Sequence, residues 1–321
     1  MADDFDTLQQ AAEWFVRLQD EDCNEQTLTA WRRWLDSDDA HRKAWEQVEE
    51  IQASIGVITS QTHSEPAVNA LRSNHQQSLN RRSLMRSFIL LAGASSLGYL
   101  GWTHRLRPSL RLPLTADIQT ATGEIREHSL PDGGRVWLNT ASTLNVNFTP
   151  QQRLLEFIDG EVLIETGKDP QRRFLVNLHE GQLEALGTAF SIRRLSQGLR
   201  LQVHQGKVAI RTRHGHQRAV EAGQQTHFDA TAINPVSPVA SHAVSWTDRI
   251  LLADDTRLQD LITELARYHQ GYMGVAPAVA DLKVTGTFPV DNIEQALSML
   301  NHTLPVSVGR LSDWWITIEA R

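Results

Sequence analysis

The sequence predicts a multidomain chain: an N-terminal all-α domain of three or four helices, one transmembrane helix, an all-β domain and a C-terminal α/β domain. Three observations support this prediction. Apolar residues recur with a helical period at both ends of the chain and with a period of two between them. An uncharged stretch lies between arginines, and the formal net charge of −7 is unevenly distributed. A length of 321 residues allows two or three hydrophobic cores.

Residues 1–60 are predicted to form the helical domain. Three apolar runs have helical spacing: Ala11, Trp14, Phe15 and Leu18; then Leu28, Trp31, Trp34 and Leu35; then Ala44, Trp45, Val48, Ile51 and Ile55. Asp38 or Asp39 is placed to cap the third helix. The four tryptophans either fill a core or, with their neighbours, form a groove for a partner. The candidate partner-binding residues are Trp14, Phe15, Trp31, Trp34, Leu35 and Trp45.

The net charge of this domain indicates which class of partner it can bind. Residues 1–60 hold 14 acidic and 5 basic side chains, a net charge of −9. Such a surface repels nucleic acid phosphates and favours a basic protein. We therefore predict no direct binding of nucleic acid.

Residues 61–86 are predicted to be a polar tether, and residues 87–103 a membrane span. The 17 residues of the span carry no charge, which is the short end of the range that a helix needs to cross a bilayer. A buried core helix is the alternative. Arg81 and Arg82 precede the span and either form a twin-arginine export motif or are a chance pair in a basic flank. Both alternatives place the N-terminus in the cytoplasm.

Residues 114–230 show the period of two and the turn residues of an antiparallel β domain, either a sandwich, a barrel or a stacked arrangement. The predicted strands are 124–130, 135–139, 143–148, 153–157, 161–164, 174–176 and 199–203. Residues 231–247 contain Pro235 and Pro238 and are predicted to be a linker. Residues 248–321 return to the helical period and predict two repeats of a helix followed by a strand, with Asp255 and Asp291 as N-caps.

The sequence contains few signs of enzymatic chemistry. Cys23 is the single cysteine, so an internal disulfide and a cysteine zinc site are excluded. A Gly-rich phosphate loop and a nucleophile motif are both absent. His214, His216 and His227 lie among arginines, which favours solvated loop histidines over a metal site. We predict no cofactor, no metal and no enzyme active site.

Three blocks of residues carry a resemblance to a known family. The first comprises residues 12–18, Trp34-Leu35 and residues 40–45. The second comprises 122–126, 130–139, 159–162 and 183–190, with Gly134 where serine is usual and Gln205-Gly206 where Glu-Gly is usual. The third comprises 282–288 and 293–297. Together they resemble the FecR/PupR-type transmembrane regulators of extracytoplasmic-function sigma factors, which control iron-siderophore uptake in Gram-negative bacteria.

The resemblance implies a signalling chain. The N-terminal domain would hold the sigma factor in the cytoplasm, and the third block resembles the short N-terminal fold of secretins and TonB-dependent proteins. That module would receive the signal from the periplasmic signalling domain of a TonB-dependent outer-membrane transporter. The protein would then be a single-pass inner-membrane protein with a periplasmic C-terminus. Site-2 and periplasmic proteases would release the sigma factor.

The resemblance also implies a cleavage site. Some family members cleave themselves at a Gly-Thr bond, and Gly187-Thr188 occupies the matching motif. The Thr188 hydroxyl would attack the preceding carbonyl, with His128, His179 or His204 as candidate bases. The alternative is a structural turn into a strand.

Two other functions compete with the regulator. The chain would otherwise be a membrane-anchored periplasmic enzyme, or a scaffold protein that docks through its secretin-like module.

Overall fold

Three helices form the N-terminal region of the structure, which is a computed structural model describing residues 2–20, 23–61, 116–185, 187–240 and 242–321. They are α1 (Ala2–Gln19), α2 (Glu25–Ser37) and α3 (Asp39–Gln61). The Asn24 side chain caps α2 by accepting a hydrogen bond from the Thr27 N–H. Asp38 Oδ1 accepts from the Ala40 N–H at the start of α3, as the sequence predicts.

The predicted fold class is wrong in one component, the transmembrane helix. None of the helices within the described ranges is both long and apolar enough to cross a membrane. The predicted span 87–103 and the tether with Arg81 and Arg82 lie outside the described residues. The prediction depended on a stretch of minimal length that is interrupted by glycines and serines. The predicted inner-membrane location stays a prediction.

Two seven-stranded sheets form the β domain. Its strands are β1 (Ile118–Gln119), β2 (Arg126–Ser129), β3 (Arg135–Leu138), β4 (Thr143–Phe148), β5 (Gln152–Asp159), β6 (Glu161–Glu165), β7 (Arg173–Leu178), β8 (Gly181–Ala185), β9 (Ala189–Arg194), β10 (Leu199–Gln205), β11 (Lys207–Thr212), β12 (Gln217–Glu221), β13 (Gln224–Phe228) and β14 (Ser237–Pro238). The first sheet has the order β1-β4-β5-β7-β8-β11-β12, and the second has the order β14-β13-β10-β9-β6-β3-β2.

Alternating strands place one apolar face of each sheet in a shared core. This core includes Leu144 and Val176 from the first sheet and Ile164 and Ile192 from the second, all fully buried. Strands β5 and β7 pair in parallel, because the chain passes through β6 in the other sheet between them. The predicted linker is wrong at one point, since Ser237 and Pro238 pair with β13 and extend the second sheet.

The C-terminal module contains two helices and five strands. After a short 3-10 helix (Ser245–Asp248) come β15 (Ile250–Arg257), α4 (Leu258–Ala266), β16 (Tyr272–Val275), β17 (Lys283–Pro289), α5 (Ile293–Thr303), β18 (Val306–Ser312) and β19 (Trp315–Ala320). The structure contains both predicted helix-strand repeats. The predicted caps are wrong by one or two residues: Arg257 precedes α4 without a side-chain cap, and Asn292 caps α5.

This module packs against neighbours on two sides. Its core continues into the β domain through Ile125, Leu163 and Trp137. The Trp314 ring meets Phe15 of α1 edge to face, with ring centroids 5.6 Å apart, and Trp315 is buried against alanines of α1 and α3. If the N-terminal helices lay in the cytoplasm and the C-terminal module in the periplasm, as predicted, they could not form this second contact.

Candidate functional site

The six candidate partner-binding residues form an aromatic face on α1, α2 and α3. Ring contacts connect five of them: Trp14 with Trp34 at 6.4 Å, Trp31 with Trp45 at 5.0 Å, and Phe15 with Trp45 at 5.9 Å between centroids. All six, Leu35 included, are only half-buried. The buried core beneath them consists of Ala11, Ala12, Ala44 and Val48 together with Trp315, and Phe15 and Trp34 pack against its edge.

Helix α2 contributes most to the open part of this face. None of its 13 residues, all of which the structure describes, is buried. Amphipathic helices gain most of their stability by covering an apolar face. Because Trp31, Trp34 and Leu35 are only half-buried, part of the apolar face of this helix stays open to solvent.

Exposed acidic side chains lie on the helices that carry the aromatic face, and the Arg17 guanidinium lies over the Trp14 ring. Glu46, Glu49 and Glu50 on α3 are exposed, as are Asp36, Asp38 and Asp39 at the α2–α3 junction. Desolvation raises the pKa of the Glu49 carboxyl, which accepts a hydrogen bond from Trp45 and lies near Glu46. Carboxylates around an apolar centre match a partner with an apolar ridge and basic flanks.

The second candidate site is the turn between β8 and β9. Gly187 has a φ of +66°, in the left-handed region that favours glycine. Thr188 is 4% exposed, and its Oγ1 has no hydrogen-bond partner among the described residues. The Thr188 N–H donates to Thr166 Oγ1 at 3.0 Å, and the Thr166 N–H donates to the Thr188 carbonyl at 3.0 Å. A buried hydroxyl without a partner is therefore held beside a left-handed peptide.

The three candidate bases are placed elsewhere. His128 is exposed on β2, and His179 is exposed in the turn between β7 and β8. His204 lies at the bulge of β10, with its Nε2 3.2 Å from Ser191 Oγ, and desolvation lowers its pKa. In the described part of the chain, none of them hydrogen-bonds to the Thr188 hydroxyl. His214, His216 and His227 are exposed, and three or more potential metal ligands do not converge within the described ranges.

Gly206 supports the turn from the neighbouring strand connection. Its φ is +75°, and a Cβ built there would lie 2.4 Å from the Gly187 carbonyl oxygen and 2.9 Å from Thr188 Cγ2. The backbone of Gly206 therefore fixes the position of the Gly187 carbonyl, the group that the Thr188 hydroxyl would attack.

Gly206→Ala is expected to destabilise the protein by more than about 2 kcal/mol, because it combines left-handed strain with overpacking. Gly223→Ala is the matched control, since Gly223 has a φ of +79° but open space around its Cβ position. That control is expected to lose about 1 kcal/mol. Urea unfolding of both variants measures the difference. Equal losses of unfolding free energy would show that the close approach of Gly206 to the Gly187 carbonyl does not affect stability.

Sequence reasoning missed an ion pair within a family motif. Arg153 Nη1 lies 2.7 Å from Asp132 Oδ2, and the two side chains are 6% and 1% exposed. Arg153 also donates to the carbonyls of Gly167, Asp169 and Arg172. Asp132 belongs to the β2–β3 turn and Arg153 to β5, so the pair joins the two sheets. The sequence shows Asp132 only as a turn residue.

Comparisons with known proteins agree with this division of the chain. Residues 116–209 match the family described as FecR protein, and residues 9–51 match a domain of unknown function, DUF4880. No curated protein matches. Two crystal structures of a predicted anti-sigma factor from Parabacteroides distasonis, both 21% identical, share the fold. One has a TM-score of 0.52 over 65% of this chain and 100% of its own, and the other 0.51 over 64% and 98%.

Proposed function

The chain is a FecR-type protein, and from this premise we propose that it regulates a sigma factor of the extracytoplasmic-function class by binding it with the N-terminal helices. The observation that carries the proposal is the half-buried aromatic face formed by α1, α2 and α3. The name of the structural neighbours, anti-sigma factors, supports the same function.

The chemistry of the helices fits such a partner. Sigma factors contact DNA, so the surfaces that they use carry basic residues. A domain with a net charge of −9 attracts these surfaces and competes with DNA for them. Large aromatic anchors surrounded by charged residues are the usual source of binding energy at protein interfaces. The helices would inhibit the sigma factor by covering its DNA-contacting residues.

Trp31→Ala is expected to weaken sigma factor binding by about 2 kcal/mol, or roughly 30-fold in Kd, because Trp31 is the central aromatic residue of α2. Arg33→Ala, an exposed change on the same helix, is the matched control and is expected to leave Kd within about twofold. Calorimetric titration of the full chain with the sigma factor measures both. A Kd unchanged by Trp31→Ala, with helix content intact, would exclude α2 from the interface.

We also propose that the chain cleaves itself at Gly187-Thr188. Thr188 Oγ1 attacks the Gly187 carbonyl carbon, the bond from that carbon to the Thr188 nitrogen breaks, and the hydroxyl proton passes to the nitrogen. The product is an ester with a free Thr188 amine, and water then hydrolyses the ester to the Gly187 carboxylate and the Thr188 hydroxyl. The buried Thr188 hydroxyl, which has no hydrogen-bond partner among the described residues and directly follows the Gly187 carbonyl in the chain, supports this step.

The C-terminal module is proposed to receive the signal from the periplasmic signalling domain of a TonB-dependent siderophore transporter. The module has a three-stranded sheet whose outer strands are β16 and β18. Outer strands can accept a further strand from a partner. Deleting residues 248–321 would be a poor test, because the module shares its core with Ile125, Leu163 and Trp137 of the β domain. Substitutions on the module surface avoid that loss of packing.

A further inference from the structure

Strands β6 and β9 connect two distant features of the β domain. They are neighbours in the second sheet and run antiparallel, with Glu161 opposite Arg193 at one end and Glu165 opposite Ala189 at the other. Thr166 follows the last residue of β6, and Thr188 precedes the first residue of β9. Each strand therefore has a charged residue at one end and a threonine of the candidate cleavage turn at the other.

The charged end is bound to the C-terminal module. Arg267 Nη2 lies 2.7 Å from Glu161 Oε2, and Arg193 Nη1 lies 2.8 Å from Glu264 Oε1. Arg267 Nη1 and Glu264 Oε2, 3.0 Å apart, join the two pairs. Glu264 belongs to α4, and Arg267 follows that helix directly. Four charges from the two domains thus form one network.

This network is largely removed from water. The Glu161 side chain is 3% exposed and those of Arg193 and Arg267 are 15% and 20% exposed, whereas Glu264 at 35% forms the edge that faces solvent. Asn139 Nδ2 donates to the same Glu161 oxygen at 2.9 Å. Burial alone would raise the pKa of Glu264, but Arg193 and Arg267 outweigh it, and the pKa is lowered. Removing the module would take Arg267 away from Glu161 and Glu264 away from Arg193, so both side chains would lose their ion-pair partners.

The threonine end holds the cleavage turn. Three hydrogen bonds join Thr166 and Thr188: the Thr188 N–H donates to Thr166 Oγ1, and the Thr166 N–H and Oγ1 both donate to the Thr188 carbonyl. About 17 Å of strand separates the two ends, from the rise per residue of a β-strand. The pairing of β6 with β9 is continuous over that distance, so one uninterrupted ladder joins Glu161 and Arg193 to the residues next to Thr166 and Thr188.

We propose that docking of the C-terminal module controls the Gly187-Thr188 bond through β6 and β9. With the Glu161–Arg267 and Arg193–Glu264 pairs formed, the two strands hold Thr188 against Thr166 and keep the left-handed Gly187 peptide fixed for cleavage. When the pairs open, the strand ends loosen, Thr188 is no longer held in place beside the Gly187 carbonyl and cleavage slows. The regulatory part of this inference rests on the proposed self-cleavage, whereas the mechanical coupling does not.

Hydrogen exchange of the full chain tests the coupling. It is measured in a Thr188→Ala background, so that the bond stays intact. Adding Arg267→Met is expected to speed exchange of the amides at 166 and 188 about fivefold, with the amides of β4 and β5 in the first sheet unchanged. Arg257→Met, which removes an exposed arginine of the same module, is the matched control and is expected to change neither region. Glu264→Gln, a milder variant, is expected to show the same pattern at lower amplitude.

The results separate the coupling from the cleavage. Unchanged exchange at 166 and 188, or equal acceleration in β4 and β5, would overturn the coupling. Without the Thr188→Ala change, Arg267→Met is expected to reduce the cleaved fraction at least about twofold, in line with typical coupling energies. If the native chain is never cleaved, the self-cleavage proposal fails, while the exchange experiment still decides whether the module is coupled to the turn.

Discussion

Asp132→Ala is expected to lower the free energy of unfolding by about 3–5 kcal/mol, because it leaves the buried guanidinium of Arg153 without its carboxylate. The Asp132 side chain is 1% exposed, so the charge of Arg153 would remain in a buried site. Its loss also removes acceptors for the N–H groups of Gly134 and Gly167. The β2–β3 turn would lose its connection to the first sheet, and the fold would be weakened across both sheets. Urea unfolding of the full chain measures the effect.

Two further variants distinguish the effect of an unpaired buried charge on stability from a general loss of stability on substitution. Glu221→Ala breaks the exposed pair with Lys207 and is expected to cost less than about 1 kcal/mol. Asp132→Ala combined with Arg153→Met removes both charges and is expected to recover part of the loss, since no unpaired charge remains. A loss for Asp132→Ala no larger than for Glu221→Ala would contradict the assigned role of the pair.

Thr188→Ala is expected to abolish self-cleavage, because it removes the only atom proposed to attack the Gly187 carbonyl. On a denaturing gel the native chain is expected to separate into residues 1–187 and 188–321, and the variant to remain one band. The methyl group of alanine fits the space of Thr188, so the fold should be retained. The Thr188 N–H bond to Thr166 does not need the hydroxyl and also remains.

Thr188→Ser provides the matched control, because it keeps the hydroxyl and removes only a methyl group. Fragments are expected from this variant, more slowly than from the native chain. A native protein that stays a single band after long incubation would contradict self-cleavage. Fragments from Thr188→Ala would instead indicate an external protease.

The sequence predicts the local pattern of the β domain well and its long-range contacts poorly. Strand β4 lies at the predicted residues, Thr143–Phe148, because its alternation of apolar and polar residues is regular. The sequence pattern did not predict strands β8 and β9. Strand β8 begins with glycine, and β9 buries Phe190, Ser191 and Ile192 in succession, which hides the period of two. Such a strand is recognised only from its neighbours.

Side-chain roles were less predictable than strands. The sequence motif around Asp132 predicts a turn. The fold then places Arg153, from the other sheet, beside the Asp132 carboxylate. The role of Glu161 likewise depends on its ion pair with Arg267, which lies in a different domain. The tryptophans of the helices resemble a core by residue type, yet small residues fill the buried core and the rings lie half-buried around its edge. Composition cannot decide between these two placements, because both satisfy the helical period.

Titration of the full chain with extracytoplasmic-function sigma factors from the same genome tests the proposed function most directly. One of them is expected to bind with a one-to-one stoichiometry and a Kd of about 10⁻⁶ to 10⁻⁹ M, weakening as salt is raised because the acidic helices attract a basic surface. The bound sigma factor should also fail to engage promoter DNA. Absence of binding by every sigma factor of the set, with a correctly folded chain, would contradict the proposed role as a sigma factor regulator.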